Sequence, residues 1–273
     1  MKASSYICLI ATFWQEGALV NSEDKPSIKT PMTARTVVSL GLSTALVAVL
    51  TMAFQLYIPA TKGYFNLGDA GIFISSIFLG PTVGMFAGGV GSATSDIVTG
   101  YTVFAPGTLV VKGIEGFIAG YLFKKLKASG SRKASLALAG SILAIGAITS
   151  IYIAMASMNS ELDILLGNPF AQLYIIGIVG WELWAILLVL FGLVLVYIAV
   201  RKGTSSAATI ASAVAGLEMV AGYFLYESLL LAFGILPGIL PIAEVVPNLA
   251  QALIGAAVAV PTVDQIFRAT RAK

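Results

Sequence analysis

The sequence predicts an all-α polytopic membrane protein with about eight membrane helices. Composition is the first ground: the 273 residues are 58% hydrophobic and 11% charged, with a mean hydropathy of +0.93, a balance foreign to soluble domains. The second is repetition, with apolar stretches at roughly 34–57, 69–98, 107–123, 134–157, 172–200, 207–234 and 242–262. The third is the gathering of most basic residues into clusters that flank these stretches.

The same composition excludes several kinds of chemistry. Histidine is absent and Cys8 is the single cysteine, which removes Ser-His dyads, HExxH zinc helices, haem ligation, intramolecular disulfides and thiolate clusters. No cofactor, metal or nucleic-acid partner is expected, and no paired Asp-rich motif suggests an enzyme. The Gly-rich string GGVGSATS at 88–95 has no lysine to reach a phosphate, so it is not a P-loop. Any ATP-driven work requires an ATPase on another chain.

Residues 1–31 stand apart from the rest. The apolar run 6–14 is too short to cross a bilayer, and the polar string Asn21-Ser22-Glu23-Asp24-Lys25-Pro26 follows it. A cytoplasmic tail is expected, or a start assigned too early with Met32 as the true one. A signal peptide is the third option, without a clear small-residue cleavage site.

The stretch 69–98 is interrupted by Gly80-Pro81, and an interior proline removes a helix hydrogen bond and clashes with the preceding turn. Each half is short for a hydrocarbon core of ~30 Å. Charge decides between one kinked helix and a hairpin of two short ones. Lys25, Lys29 and Arg35 precede the first span; Lys124, Lys125, Lys127, Arg132 and Lys133 follow 107–123. Arg201 and Lys202 follow 172–200, and Arg268, Arg271 and Lys273 close the chain. A hairpin at Gly80-Pro81 puts every cluster in the cytoplasm, as the positive-inside rule asks. Both termini are then cytoplasmic in a multi-pass plasma-membrane protein, and Asp69, Asp96, Tyr101, Glu161 and Asp163 fall outside. Small-xxx-small pairs at Gly84/Gly88 and Ala87/Gly91 let the short helices pack closely inside protein.

Polar residues in such segments are expensive, so they tend to line a site or pair with one another. Asn66 and Asp69 precede a helix, where capping and a site role are both open for Asp69. Asp96 ends the next short helix. The loop Gly100-Tyr101-Thr102-Val103-Phe104-Ala105-Pro106 leads to a helix start with Pro106 and Thr108. Lys112 lies about a turn into that helix, with Glu115 three residues on and able to pair with it. Glu218, Gly222 and Tyr226 share one face of 207–234, and Tyr223 and Glu227 another. The next helix opens with Glu244, Pro247, Asn248 and Gln251. Tyr223 and Tyr226 also fit an interfacial belt, and Glu182 between Trp181 and Trp184 either snorkels or faces the bundle.

Taken together, Gly63-Tyr64-Phe65-Asn66-Leu67-Gly68-Asp69-Ala70, Leu79-Gly80-Pro81, Gly88-Gly89-Val90-Gly91-Ser92, Asp96, Gly100-Tyr101, Ala105-Pro106 and Thr108-Leu109-Val110-Val111-Lys112-Gly113 resemble the substrate-binding S components of energy-coupling factor (ECF) transporters, in the riboflavin-type group. The strings at 218–227 and 244–251 resemble that family's last two helices. The resemblance implies a six-helix bundle that captures a vitamin-like solute, riboflavin most of all, near the outer surface. It also implies a transmembrane T component and ATP-binding subunits as partners, within the lipid bilayer. On this reading Asn66, Asp69, Asp96, Tyr101, Thr108, Lys112, Tyr223, Glu227 and Asn248 contact the solute. The first helix docks the T component through small residues four apart, Gly41 with Ala45 or Thr44 with Ala48, in place of the family's Ala-xxx-Ala.

The chain departs from the family by two extra apolar spans between the Lys112 and Glu218 helices. The expected organisation is therefore a tail at 1–31, helices one to four at 32–133, an inserted peripheral hairpin at 134–203, and the last two core helices at 204–273. A stand-alone ion-coupled secondary transporter, with Lys112, Glu218 and Asp96 as a relay, is the alternative; the internal inverted symmetry it often carries is absent.

Overall fold

The computed structural model describes residues 34–58, 60–129, 163–166, 175–178, 197 and 204–271, which are mostly helical. The first helix, α1 (Ala34–Ala53), stops short of the expected 57. The chain instead enters strand β1 (Gln55–Ile58), which pairs antiparallel with β2 (Gly63–Asn66) from Gln55↔Asn66 to Ile58↔Gly63. Tyr57, Ile58, Tyr64 and Phe65 are aromatic or β-branched and suit a pleated surface better than a helix end. The turn between the strands closes through Thr61 and Lys62 N–H groups donating to the Ile58 carbonyl, at 3.2 and 2.9 Å.

A small four-stranded sheet, which the expectation of helices alone omits, is built on this hairpin. Strand β3 (Asp163–Leu166) pairs with the other edge of β1, and β4 (Ile175–Ile178) pairs with β3, giving the order β2-β1-β3-β4. The helix expected from 172 is thus corrected over 175–178, where three isoleucines favour strand. The remainder of the expected hairpin 134–203, including Glu182, and the tail 1–31 lie outside the described residues.

Next come α2 (Gly68–Leu79), α3 (Pro81–Phe86), a π-helical turn (Ala87–Gly91) and α4 (Ser92–Thr99). The chain reverses at Gly80-Pro81, where Gly80 takes φ +103°, a conformation that costs glycine alone little. Ser76 then lies against Gly84 and Ile72 against Gly88. Helix α5 (Ala105–Ser129) packs on this hairpin backbone to backbone. A Cβ on Gly116 would sit 2.2 Å from the Gly84 carbonyl oxygen, one on Gly88 2.4 Å from that of Lys112, and one on Gly120 2.6 Å from the Pro81 nitrogen. The small-residue spacing therefore serves close helix approach.

The bundle is completed by α6 (Thr204–Ala232), a 3-10 turn (Pro241–Glu244) and α7 (Val245–Arg271), which carries Pro261 on an exposed face and runs on past the expected end at 262. Among the described residues, three helical stretches are long and apolar enough to cross a membrane: Ala34–Ala53, Ser205–Ala232 and Pro241–Thr270. Helix α5, with 25 residues, reaches ~37 Å but carries Lys112 and Glu115. Large apolar side chains such as Leu42, Ile97, Leu225 and Phe233 face outward, whereas alanines dominate the interior of α6 and α7. That arrangement suits a lipid solvent, which gives helices no hydrophobic drive to associate and leaves small-residue packing to hold them.

Candidate functional site

The two ends of the bundle differ in kind. At one end the Lys124 ammonium lies over the Gly80-Pro81 turn, and Lys127 lies 4.5 Å from the Phe267 ring centroid. At the other, β2, α4, the start of α5, the end of α6 and the start of α7 surround a cavity. It holds about 400 Å³ of empty space including its open mouth.

Beneath this cavity lies a buried ionic cluster. Lys112 is 2% exposed and contacts both Asp69, from the first turn of α2, and Glu115, at 3.0 Å, each fully buried. Asp69 does not cap α2, whose N-terminus has no side-chain cap bond. Its Oδ1 accepts instead from Lys112 and from Gln251 Nε2 at 3.0 Å. The α2 entry is shaped by Asn66, whose side chain accepts the Gly68 N–H at 2.7 Å, while the Asn66 N–H donates to Gln251 Oε1 at 2.8 Å. Gln251 thus joins β2, α2 and α7 in one network. Gly68 is required there, because a Cβ would meet Thr51 Oγ1 at 2.2 Å.

On the opposite wall, Tyr64 donates its hydroxyl to Asp96 and its ring lies 4.4 Å from that of Tyr101. Burial, with the Asp96 carboxylate adding to it, pushes the Tyr64 phenol well above its ordinary value. Burial pushes Tyr101 up to about 12. Both therefore remain hydrogen-bond donors at any physiological pH. Tyr223 donates to Thr108 Oγ1 at 3.0 Å, tying α6 to the first turn of α5. Tyr226 packs against Gly107 and donates to the Val103 carbonyl at 2.7 Å, a specific role beyond that of a belt aromatic. Glu227, near the end of α6, is 1% exposed, and its Oε2 has no partner. Glu244 accepts from the Thr61 hydroxyl, which in turn accepts the Gly63 N–H at 3.2 Å.

Of the residues expected at the site, Asn66, Asp96, Thr108, Lys112, Tyr223, Glu227 and Asn248 line this one cavity. Asp69 and Tyr101 stand one layer behind it, against Lys112 and Tyr64 respectively. Glu218 is half-buried on α6, away from the lining. Sequence reasoning did not select Thr51, Tyr64, Ser92, Phe104, Glu244 or Gln251, which also line the cavity. For Glu244 and Gln251 the signal was available in their i, i+7 spacing, which places both on one face of the helix start.

On α1 the two small-residue pairs part company. Gly41 and Ala45 are exposed. Thr44 and Ala48 turn toward the π-helical turn and α4: the Thr44 carbonyl approaches Gly91, and the Ala48 carbonyl accepts from Ser95 Oγ at 3.1 Å.

A family model described as "ECF-type riboflavin transporter, S component" matches residues 31–181. A curated protein of Pyrococcus woesei, described as an uncharacterized protein in gap 3'region, is 41% identical over 107 residues, which cover 39% of this chain and 72% of that protein. No solved structure matches. The family match takes in α1 to α5 and the sheet, and runs through the first part of the stretch read as an insertion. Tyr223, Glu227, Glu244 and Asn248 lie beyond it.

Proposed function

Because the chain belongs to the family of ECF-type riboflavin transporter S components, a non-enzymatic substrate-binding subunit in the membrane, we propose that it captures a riboflavin-like vitamin from the extracytoplasmic side. ATP hydrolysis then comes from partner ATP-binding subunits through a T component. The observation that carries this reading is the cavity itself, where the polar residues of otherwise apolar segments converge at the end away from Lys124. Intramembrane polar groups are retained where they line a pathway or site.

The solute contacts proposed are Asn66, Asp96, Thr108, Lys112, Tyr223, Glu227 and Asn248, with Asp69 and Tyr101 supporting them. We assign T-component docking to the exposed Gly41/Ala45 register, since Thr44 and Ala48 are engaged with the protein interior. Both termini and the basic end of the bundle are placed in the cytoplasm, and 134–203 is treated as an addition to the six-helix core.

Copurification from cells expressing the T component and ATPases tests the assignment. Ala45→Trp should abolish recovery of those partners while riboflavin titration of the isolated chain is unchanged. Recovery of no partner by the parent chain, together with ion-driven uptake by it alone, would support a secondary transporter instead.

Cysteine labelling tests orientation. In a Cys8→Ser background, Thr102→Cys should react with a membrane-impermeant maleimide in intact cells, and Ser129→Cys only after permeabilisation. Labelling of Ser129→Cys from outside reverses the bundle and removes the outward-facing cavity.

A further inference from the structure

Lys112 is poorly placed to anchor an acidic solute, since its ammonium is already held between Asp69 and Glu115. Among the described residues no other basic side chain lines the cavity. The remaining ionisable groups on its wall are acidic: Asp96 from α4, Glu227 from α6 and Glu244 from the 3-10 turn. Asp96 accepts from Tyr64 and Glu244 from Thr61. Glu227 is 1% exposed, it lines the cavity, and its Oε2, like Oδ2 of Asp96, accepts from no group.

Glu244 lines the same cavity as Glu227. A buried acceptor without a donor is costly, and a second carboxyl group on the same wall adds to the cost. The arrangement is completed by donors arriving from the cavity. A metal ion is not the natural guest, because no group of three or more metal-ligating side chains gathers among the described residues.

Resting on the reading of the cavity as a capture site, we infer that Glu227 and Glu244 form a donor-accepting, anion-excluding subsite. It takes the end of the solute that carries hydroxyl or N–H groups and rejects a phosphate there. Like charges brought together across a binding interface repel, so a phosphate is disfavoured there.

Three probes separate the possibilities. Riboflavin offers a neutral polyol chain, flavin mononucleotide ends the same chain in a phosphate, and thiamine carries a cationic ring. Each is titrated onto the purified full-length chain in detergent and onto Glu227→Gln and Glu244→Gln. We expect riboflavin or thiamine to bind at least about 100-fold more tightly than flavin mononucleotide. The preferred one of the two identifies the donor as hydroxyl or cationic nitrogen. Both glutamine variants should weaken the preferred probe and reduce the discrimination against the phosphate about tenfold.

Binding of flavin mononucleotide within a few-fold of riboflavin overturns the subsite. Unchanged discrimination in two folded glutamine variants does so too, as does failure of all three probes to bind the parent. Should the variants not fold, the parent's ratio between the two flavins decides alone. Copurification of the parent with the T component and ATPases is read separately, so that loss of the subsite and loss of the capture assignment remain distinct results.

Discussion

Lys112→Met is expected to destabilise the protein by about 3–5 kcal/mol, the usual consequence of removing one partner from a buried ionic group. The side chain is 2% exposed, between two fully buried carboxylates on α2 and α5. Without the ammonium, Asp69 and Glu115 remain in the interior as uncompensated like charges. The thermal unfolding midpoint in detergent should fall sharply, and Asp69→Asn added to Lys112→Met should recover part of the loss, because contacting residues couple. Solute titration of the rescued double variant then separates structure from recognition. If Lys112 organises the cavity, binding stays at least tenfold weaker, ~1.4 kcal/mol. Normal binding by the double variant would make the cluster purely structural and remove Lys112 from the proposed contacts.

Gly116→Ala is expected to have the next largest effect, about 1–3 kcal/mol of destabilisation and at the upper end of that range. The added methyl would lie 2.2 Å from the Gly84 carbonyl oxygen and 3.0 Å from the Met85 nitrogen. Both are backbone atoms, so no rotamer change relieves the clash and the α3–α5 spacing must open. Gly113→Ala on the same helix supplies the comparison, since its nearest neighbour would be 3.5 Å away, an ordinary contact. Unfolding midpoints of the two variants should therefore diverge. Equal midpoints would mean that the close approach of α3 and α5 contributes nothing to stability. Lys112 lies one turn from Gly116, so opening this interface should also weaken solute binding.

Much of the site was legible in the sequence because its physics is local. A lysine three residues before a glutamate in an apolar helix must be partnered, and the structure partners it. Gly80-Pro81 was readable as a reversal because charge placement left few alternatives. Asp69 was harder: its position before an apolar run fits a cap, and only the fold brings Lys112 and Gln251 to it. The sheet was not legible, since Gln55–Ile58 continues an apolar stretch without a break in composition, and its second partner lies in a distant segment. Tyr64 was passed over for the same reason, as its role depends on Asp96 across the cavity.

The pairing of β1 with β3 also bears on when the protein can be completed during synthesis. Tyr57 faces Leu165 across that ladder, so the outer edge of the β1–β2 hairpin waits for a segment made about a hundred residues later. At the usual elongation rate of about 5–20 residues per second, the delay is roughly 5–20 s. For that interval the hairpin that supplies Tyr64 and Asn66 to the cavity wall is a lone two-stranded ribbon, which is marginal by itself, with an open edge able to pair with another nascent chain. Ribosome-bound chains stalled near residue 130 and near residue 220 (the latter long enough for β3 and β4 to clear the exit tunnel) should accordingly differ in protease protection of the 55–66 segment, with protection appearing only in the longer one.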